Sequence, residues 1–327
     1  MPQPLPPLPG HPAPGRAASP AGGRRPLLVV GAALAEEVYA VPAVPRPGGH
    51  VWLRHIASAV GGSALNVLRM LVRLGYAPTA ALTVGTGTAA ARVQAELTAL
   101  GTPSLLPAHG QDNGVCHTLV TPDGERTFLT VPGCEMDWSP AQLAALAVPA
   151  DAVVYVSGFQ LLAAGGQLAQ WAASLSDDVA LVLDPGARLG ELAELPEWAA
   201  VRERCDVLTI NEQEATALLV AEEDGESCHA DAGSLEARLS TWAGRHRCDV
   251  VLRQGSRGAT WLAADGAAPV HAPAVPVRVV DTDGAGDAHT AGIMAALADG
   301  FDAAHALELA GRAAAVVVAV AGPAGYD

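Results

Sequence analysis

From residue 27 onward, short apolar runs alternate with longer stretches rich in alanine and leucine, and no other feature restricts the fold as much. The runs are LLVVGA (27–32), TAALTV (79–84), AVVYVSG (152–158), VALVLD (179–184), DVLTI (206–210) and DVVLR (249–253). Strands of that length separated by helical stretches have the βαβ rhythm of a mostly parallel sheet with helices on both faces. Ligands of such open sheets sit beyond the carboxyl ends of the strands. Asp184, Asn211 and the residues after Val84 and Arg253 therefore fall toward one edge.

Two segments break the rhythm. VYAVPAVPRPGGHVWLRHI and GVCHTLVTPDGERTFLTVPG contain short β-prone runs without an intervening helix, and a Pro-Asp-Gly turn divides the second. They are read as a small accessory sheet, with lid segments at about 37–57 and 113–132; plain surface hairpins are the alternative. Residues 1–25, rich in proline and glycine, are expected to be a disordered tail ahead of one domain spanning 26–327. The following RRPLLVVGAALA resembles an export signal, but its short apolar run fits a buried first strand better. The acidic stretch 220–234 reads as a loop, and no segment approaches the length of a membrane span.

Composition removes whole classes of function. At 327 residues, half of them hydrophobic, the chain can bury a large core. A net charge of −15 disfavours nucleic acid and anionic membrane surfaces as partners. All 19 basic residues are arginine. With no lysine there can be no Walker-type phosphate loop, no protein-kinase strand lysine and no pyridoxal phosphate Schiff base. Any phosphate must meet backbone amides, metal or arginine. Five cysteines without a CxxC pair point to reduced thiols and a cytoplasmic location.

The chemistry concentrates in DTDGAGDAHTAGIMAAL, Asp281 to Leu297. Ala288 to Ala298 should be helical, so Gly284, Ala285 and Gly286 stand at its N-terminus, where unpaired N–H groups favour an anion. Asp287 beside that pocket can take a proton from an attacking hydroxyl, although alone it would pass for a helix cap. In GGSALNVLRMLVRLG the pair Gly61-Gly62 opens a helix and Asn66 lies one turn in, suited to local capping or to holding hydroxyls. In NEQEA, Asn211 and Glu214 close a strand and can serve the helix dipole or hold Mg²⁺ through water. RQGSRGA, with Gly255 and Gly258, forms a turn able to approach a nucleotide.

Together these motifs resemble the ribokinase-like, or PfkB, family of carbohydrate and nucleoside kinases. DTDGAGD matches the DTxGAGD pattern, and GGSALN, the NxxE of Asn211 and Glu214, and the GxxG turn follow in family order along nearly the whole chain. The resemblance implies a three-layer α/β/α domain with a β-sheet lid, ATP as donor, Mg²⁺ as cofactor and a sugar-like acceptor. It further implies Asp287 as catalytic base, an anion hole from the amides of Gly284, Ala285 and Gly286 with that of Asp287, and acceptor contacts from Glu36, Gly61, Gly62 and Asn66. Asn211, Glu214, Gly255, Gly258 and Thr282 correspond to the ATP side, with Asn211 and Glu214 on the metal. Dimerisation through the lid is common in the family.

There are departures. Glu36 stands where the family usually has Asp, VGTGTAA carries Gly87 and Ala90 in place of the acid and last glycine of VGxDxxG, and DPGAR keeps Arg188 but loses the asparagine of DPNxR. Arg126, Arg188 and Arg257 are candidates for phosphate or substrate, or else solvated surface groups. A nucleoside is an alternative acceptor, with Trp52 and Trp138 able to stack on a base if the lid brings them inward; ERTF and the glycine pair fit a sugar better. A binding protein without activity is a further alternative. VGTGTAAARVQAELTALG also reads as a nicotinamide-binding GxGxxA turn, but no acid closes the next expected strand, SLLP, and Asp112 falls beyond it.

Overall fold

The computed structural model describes residues 23–163, 165–222, 233–320 and 322. Most of the expected tail and most of the acidic stretch lie outside the described residues. Arg24, near the end of that tail, pairs with Asp299 at 2.6 Å and lies over the Tyr76 ring, so the folded part begins slightly earlier than expected.

Twelve strands are formed by the described residues: β1 (Leu27–Gly31), β2 (Leu34–Ala40), β3 (Arg54–Gly61), β4 (Thr79–Leu82), β5 (Val115–Val120), β6 (Arg126–Val131), β7 (Val153–Ser157), β8 (Ala180–Asp184), β9 (Val207–Asn211), β10 (Asp249–Arg253), β11 (Ala259–Leu262) and β12 (Val270–Ala272). The large sheet runs β12-β11-β10-β9-β8-β7-β1-β4. The six apolar runs supply its parallel part, β4 to β10, and β11 and β12 extend it antiparallel.

Period-two alternation explains why these runs look uniformly apolar: both faces are covered. Leu28, Val30, Val154, Val156, Leu181 and Leu183 enter one core, while Val29, Val153, Tyr155 and Val182 enter the other. Each such side chain contributes about 1.5–3 kcal/mol relative to exposure. Helices Ser63–Arg73, Ala285–Asp299 and Ala303–Val318 cover the second face, giving the three layers. SLLP does not become a strand; it makes a single bridge, Ser104 to Ala80, and Leu105 stays exposed.

The second sheet, β3-β2-β5-β6, joins the two segments that broke the rhythm. Thr121 and Glu125 close the β5–β6 hairpin around the Pro-Asp-Gly turn. Along β6 the side chains alternate: Phe128 and Thr130 line a cavity, and Leu129 and Val131 are exposed on the other side.

The turn at Gly87 excludes the nicotinamide reading. A side chain at Gly87, where φ is 150°, would stand on the carboxylate of Asp112. That carboxylate accepts from the N–H groups of Ala89 at 3.3 Å and Ala90 at 2.7 Å at the start of helix Thr88–Ala99. Asp112 thus fills the helix terminus where a pyrophosphate would have to bind, and supplies the acid that position 87 lacks.

Candidate active site

Asp184, Asn211 and Arg253 are the last residues of adjacent strands β8, β9 and β10, so the parallel sheet delivers all three to one edge. Asn211 and Glu214 bond reciprocally at the start of helix Glu212–Glu222: the Asn211 N–H donates to Glu214 Oε2 at 2.8 Å, and the Glu214 N–H donates to Asn211 Oδ1 at 2.9 Å. This is a capping box built on Asn and Glu. The Arg253 fork then donates to Glu214 Oε2 at 3.1 Å, to Asp184 Oδ2 at 2.6 Å and to the hydroxyls of Thr209 and Thr290. Despite burial, which lowers it, the carboxylates of Asp184 and Glu214 raise the Arg253 pKa above its ordinary value. Burial raises that of Glu214, against the opposing charge of Arg253.

The DTDGAGD loop faces this cluster. Helix Ala285–Asp299 starts earlier than its alanine run suggests, with Gly284 as N-cap at φ 73° and Ala285, Gly286 and Asp287 forming the first turn. The Ala285 N–H donates to the Thr282 carbonyl at 3.3 Å, whereas Gly286 and Asp287 lie where no intrahelical acceptor exists. The Arg253 guanidinium carbon lies 3.4 Å from where a Cβ on Gly286 would sit, so that cation stands beside the turn. Asp287 Oδ2 accepts from Asn66 Nδ2 at 2.8 Å. Burial, then the charge of Asp184, pushes the Asp287 pKa up to about 7, against the pull of Asn66 and Arg253. His289 on the same helix is held neutral, its pKa pushed down to about 3 by burial and by Arg253.

Asn66 is placed by Gly62, the N-cap of helix Ser63–Arg73. At φ 112° and with the Ala32 carbonyl 2.7 Å from where a Cβ would sit, only glycine fits there. Glu36 on β2 lies against Gly61, accepts from the Thr118 hydroxyl at 2.6 Å, and has its pKa raised by burial. Between these residues and the second sheet is a cavity of about 700 Å³, lined among others by Glu36, Gly61, Gly62, Asn66, Asp283 and Asp287.

The expected acceptor residues therefore share one cavity with the expected base. Asn211, Glu214, Gly255, Gly258 and Thr282 are not part of its lining. Arg126 leaves the second sheet to pair with Asp281 and, at 3.3 Å, with Asp283, tying that sheet to the loop. Arg188 reaches the cavity while bonded to Glu191, and Arg257 pairs with Glu212 at the surface. Trp138 is buried, with its indole N–H on the Glu135 carbonyl, so it is core rather than a stacking platform. Two arginines take part in the site that none of the motifs assigns to it. Arg253 closes a strand at the ligand edge of a lysine-free chain, and Arg69 follows Asn66 by three residues on one helix; both positions are signals that could have been read.

The pattern of the pfkB family of carbohydrate kinases matches residues 25–325. The uncharacterized sugar kinase YegV of Escherichia coli (strain K12) is 34% identical over 302 residues, covering 90% of this chain and 89% of its own. Among solved structures, the ribokinase of Cryptococcus neoformans in complex with ADP superposes with a TM-score of 0.73 at 20% identity, over 91% of this chain and 95% of that one. The adenosine kinase of Sinorhizobium meliloti gives 0.72 at 19% identity, over 92% and 96%.

Proposed function

This chain belongs to the pfkB family of carbohydrate kinases, and on that premise we propose that it transfers the γ-phosphoryl group of ATP to a hydroxyl of a sugar or sugar-like molecule held in the cavity. One observation carries this reading: Asp287, with a pKa pushed up to about 7, lines the cavity from the first turn of a helix where its own N–H and that of Gly286 have no intrahelical acceptor and can meet an anion. In this reading Asp287 accepts the proton of the attacking hydroxyl, and the N–H groups of Gly286 and Asp287 steady the negative charge of the transferred group. Arg253, which stands beside Gly286, brings a positive charge to that turn.

ATP when bound supplies the phosphoryl group, and Mg²⁺ neutralises charge on its oxygens. Glu214 fits a water-mediated metal contact: Oε2 takes the bonds from Asn211 and Arg253, so Oε1 is left for water. The GxxG turn, Gly255 and Gly258, would lie along the nucleotide with Thr282. Glu36, Asn66 and the Gly61-Gly62 backbone would hold the acceptor hydroxyls. A nucleoside is the second reading, favoured by Phe128 and Phe159 in the cavity wall, where a ring can stack.

The test is Mg²⁺-dependent ADP release over a panel of pentoses, ketohexoses, sugar acids, sugar phosphates and nucleosides. Turnover on a nucleoside alone would replace the sugar reading, and ATP binding without turnover on any acceptor would sink both. Because Asp287 must be ionised to act, kcat/KM should fall about tenfold per pH unit below about pH 7 and level off above it. A pH–rate profile flat between pH 5.5 and 8, values of roughly that order being set by the expected limb, would contradict the base assignment.

The described cysteines are free and buried, as suits a reducing, cytoplasmic setting. No helix among the described residues is long and apolar enough to cross a membrane. Leu129 and Val131 give the edge strand β6 of the second sheet an exposed apolar face, and two such faces would pair as a homodimer. Sedimentation should then show a dimer that Leu129→Asp converts to monomer; a wild-type chain that stays monomeric at all concentrations would remove this element.

A further inference from the structure

We propose that Arg69 is a positioning residue for phosphoryl transfer, its guanidinium fixing the Asn66 amide so that Nδ2 faces Asp287. The proposal rests on the reading of Asp287 as the base. Arg69 follows Asn66 by three residues on helix Ser63–Arg73, so the two share a face. It is buried, and all three of its guanidinium nitrogens are engaged. Nη1 donates to the Val60 carbonyl at 2.9 Å and to Asn66 Oδ1 at 3.3 Å, while Nε and Nη2 each reach Glu96 Oε1 at 2.7 Å.

A guanidinium can only donate, so the atom of Asn66 facing it has to be the oxygen. Nδ2 is then the atom 2.8 Å from Asp287 Oδ2. Rotating the amide by half a turn would set donor against donor at Arg69 and carbonyl oxygen against carboxylate at Asp287. Arg69 is itself held from two sides, by Val60 on β3 and by Glu96 on helix Thr88–Ala99. The orientation of Asn66 is therefore imposed by residues outside the glycine motif that contains it.

The consequence for Asp287 has a definite sign. Its carboxylate is opposed by Asp184 on β8 and Asp283 in the preceding loop, and supported by Arg253 on β10; Tyr155 on β7 also lies near enough to feel its charge. The Asn66 N–H favours the ionised form. An amide free to turn away gives up that support, and the base is then protonated at a higher pH.

The test is the pH dependence of kcat/KM for the wild type, Arg69→Met, Glu96→Gln, Asn66→Ala, Arg69→Met/Asn66→Ala and Asp287→Asn, each checked for folding by circular dichroism. Arg69→Met should move the acid limb up by about half to one pH unit, a loss of about three- to tenfold on the slope with less change on the alkaline plateau. Glu96→Gln should move it the same way by less, and it decides the matter if Arg69→Met does not fold. The double variant should shift no further than Asn66→Ala, since Arg69 acts through that amide. An unmoved limb in the Arg69 and Glu96 variants, or additive shifts in the double variant, would overturn the role of Arg69 while a dead Asp287→Asn leaves the base standing. Full turnover by Asp287→Asn would overturn both.

Discussion

Asp287→Asn is expected to lower kcat by about 10²–10⁴-fold, the range for loss of a positioned general base, with the fold and ATP affinity retained. The asparagine keeps the shape and can still occupy the first turn of helix Ala285–Asp299, but it cannot accept a proton. Stability should not suffer. The native carboxylate is held against burial and against the charge of Asp184, so a neutral amide there relieves repulsion. Measuring kcat together with ATP binding and the unfolding midpoint separates these effects. A variant that unfolds or no longer binds ATP would show a structural residue, and one turning over at the wild-type rate would remove Asp287 from the chemistry.

Arg253→Met should have the largest effect on stability, a loss of about 3–5 kcal/mol in denaturant unfolding. The wild-type guanidinium joins Asp184, Glu214, Thr209 and Thr290, and both carboxylates are themselves buried. Removing the cation leaves two buried acids close together without a counter-charge, which costs far more than the net worth of an intact buried pair. Arg253→Lys should recover only part of the loss, since a single ammonium cannot reproduce the fork that reaches two carboxylates and two hydroxyls. A methionine variant within 1 kcal/mol or so of wild type would mean that the acids take up protons or water at little cost.

The parallel sheet was legible because its six strands are buried on both faces and so read as unbroken apolar runs. The anion turn and the Gly61-Gly62 entry were legible for a different reason: a glycine next to a helix N-terminus states its geometry locally. What stayed hidden depends on contacts distant in sequence. Asp112 caps the helix that begins after Gly87, a substitution of one carboxylate for another across 25 positions that no local pattern announces. Trp138 looked available for stacking, yet its burial is decided by neighbours such as Leu143 and Leu146 in the same core. Arg126 was noted as a phosphate candidate, whereas the fold commits it to Asp281 and Asp283. The inward placement of Arg69 and Arg253 has no local signature, since arginine is most often a surface residue.

In the proposed reaction the γ-phosphoryl group passes from ATP to an acceptor hydroxyl with Asp287 taking the proton. Its most direct test follows radiolabelled γ-phosphate with Mg²⁺ and the acceptor found in the panel, in parallel for the wild type and Asp287→Asn. Label should appear on the acceptor in the first reaction and almost none in the second, at equal ATP binding. Label appearing only as inorganic phosphate, or transferred equally by both proteins, would contradict it.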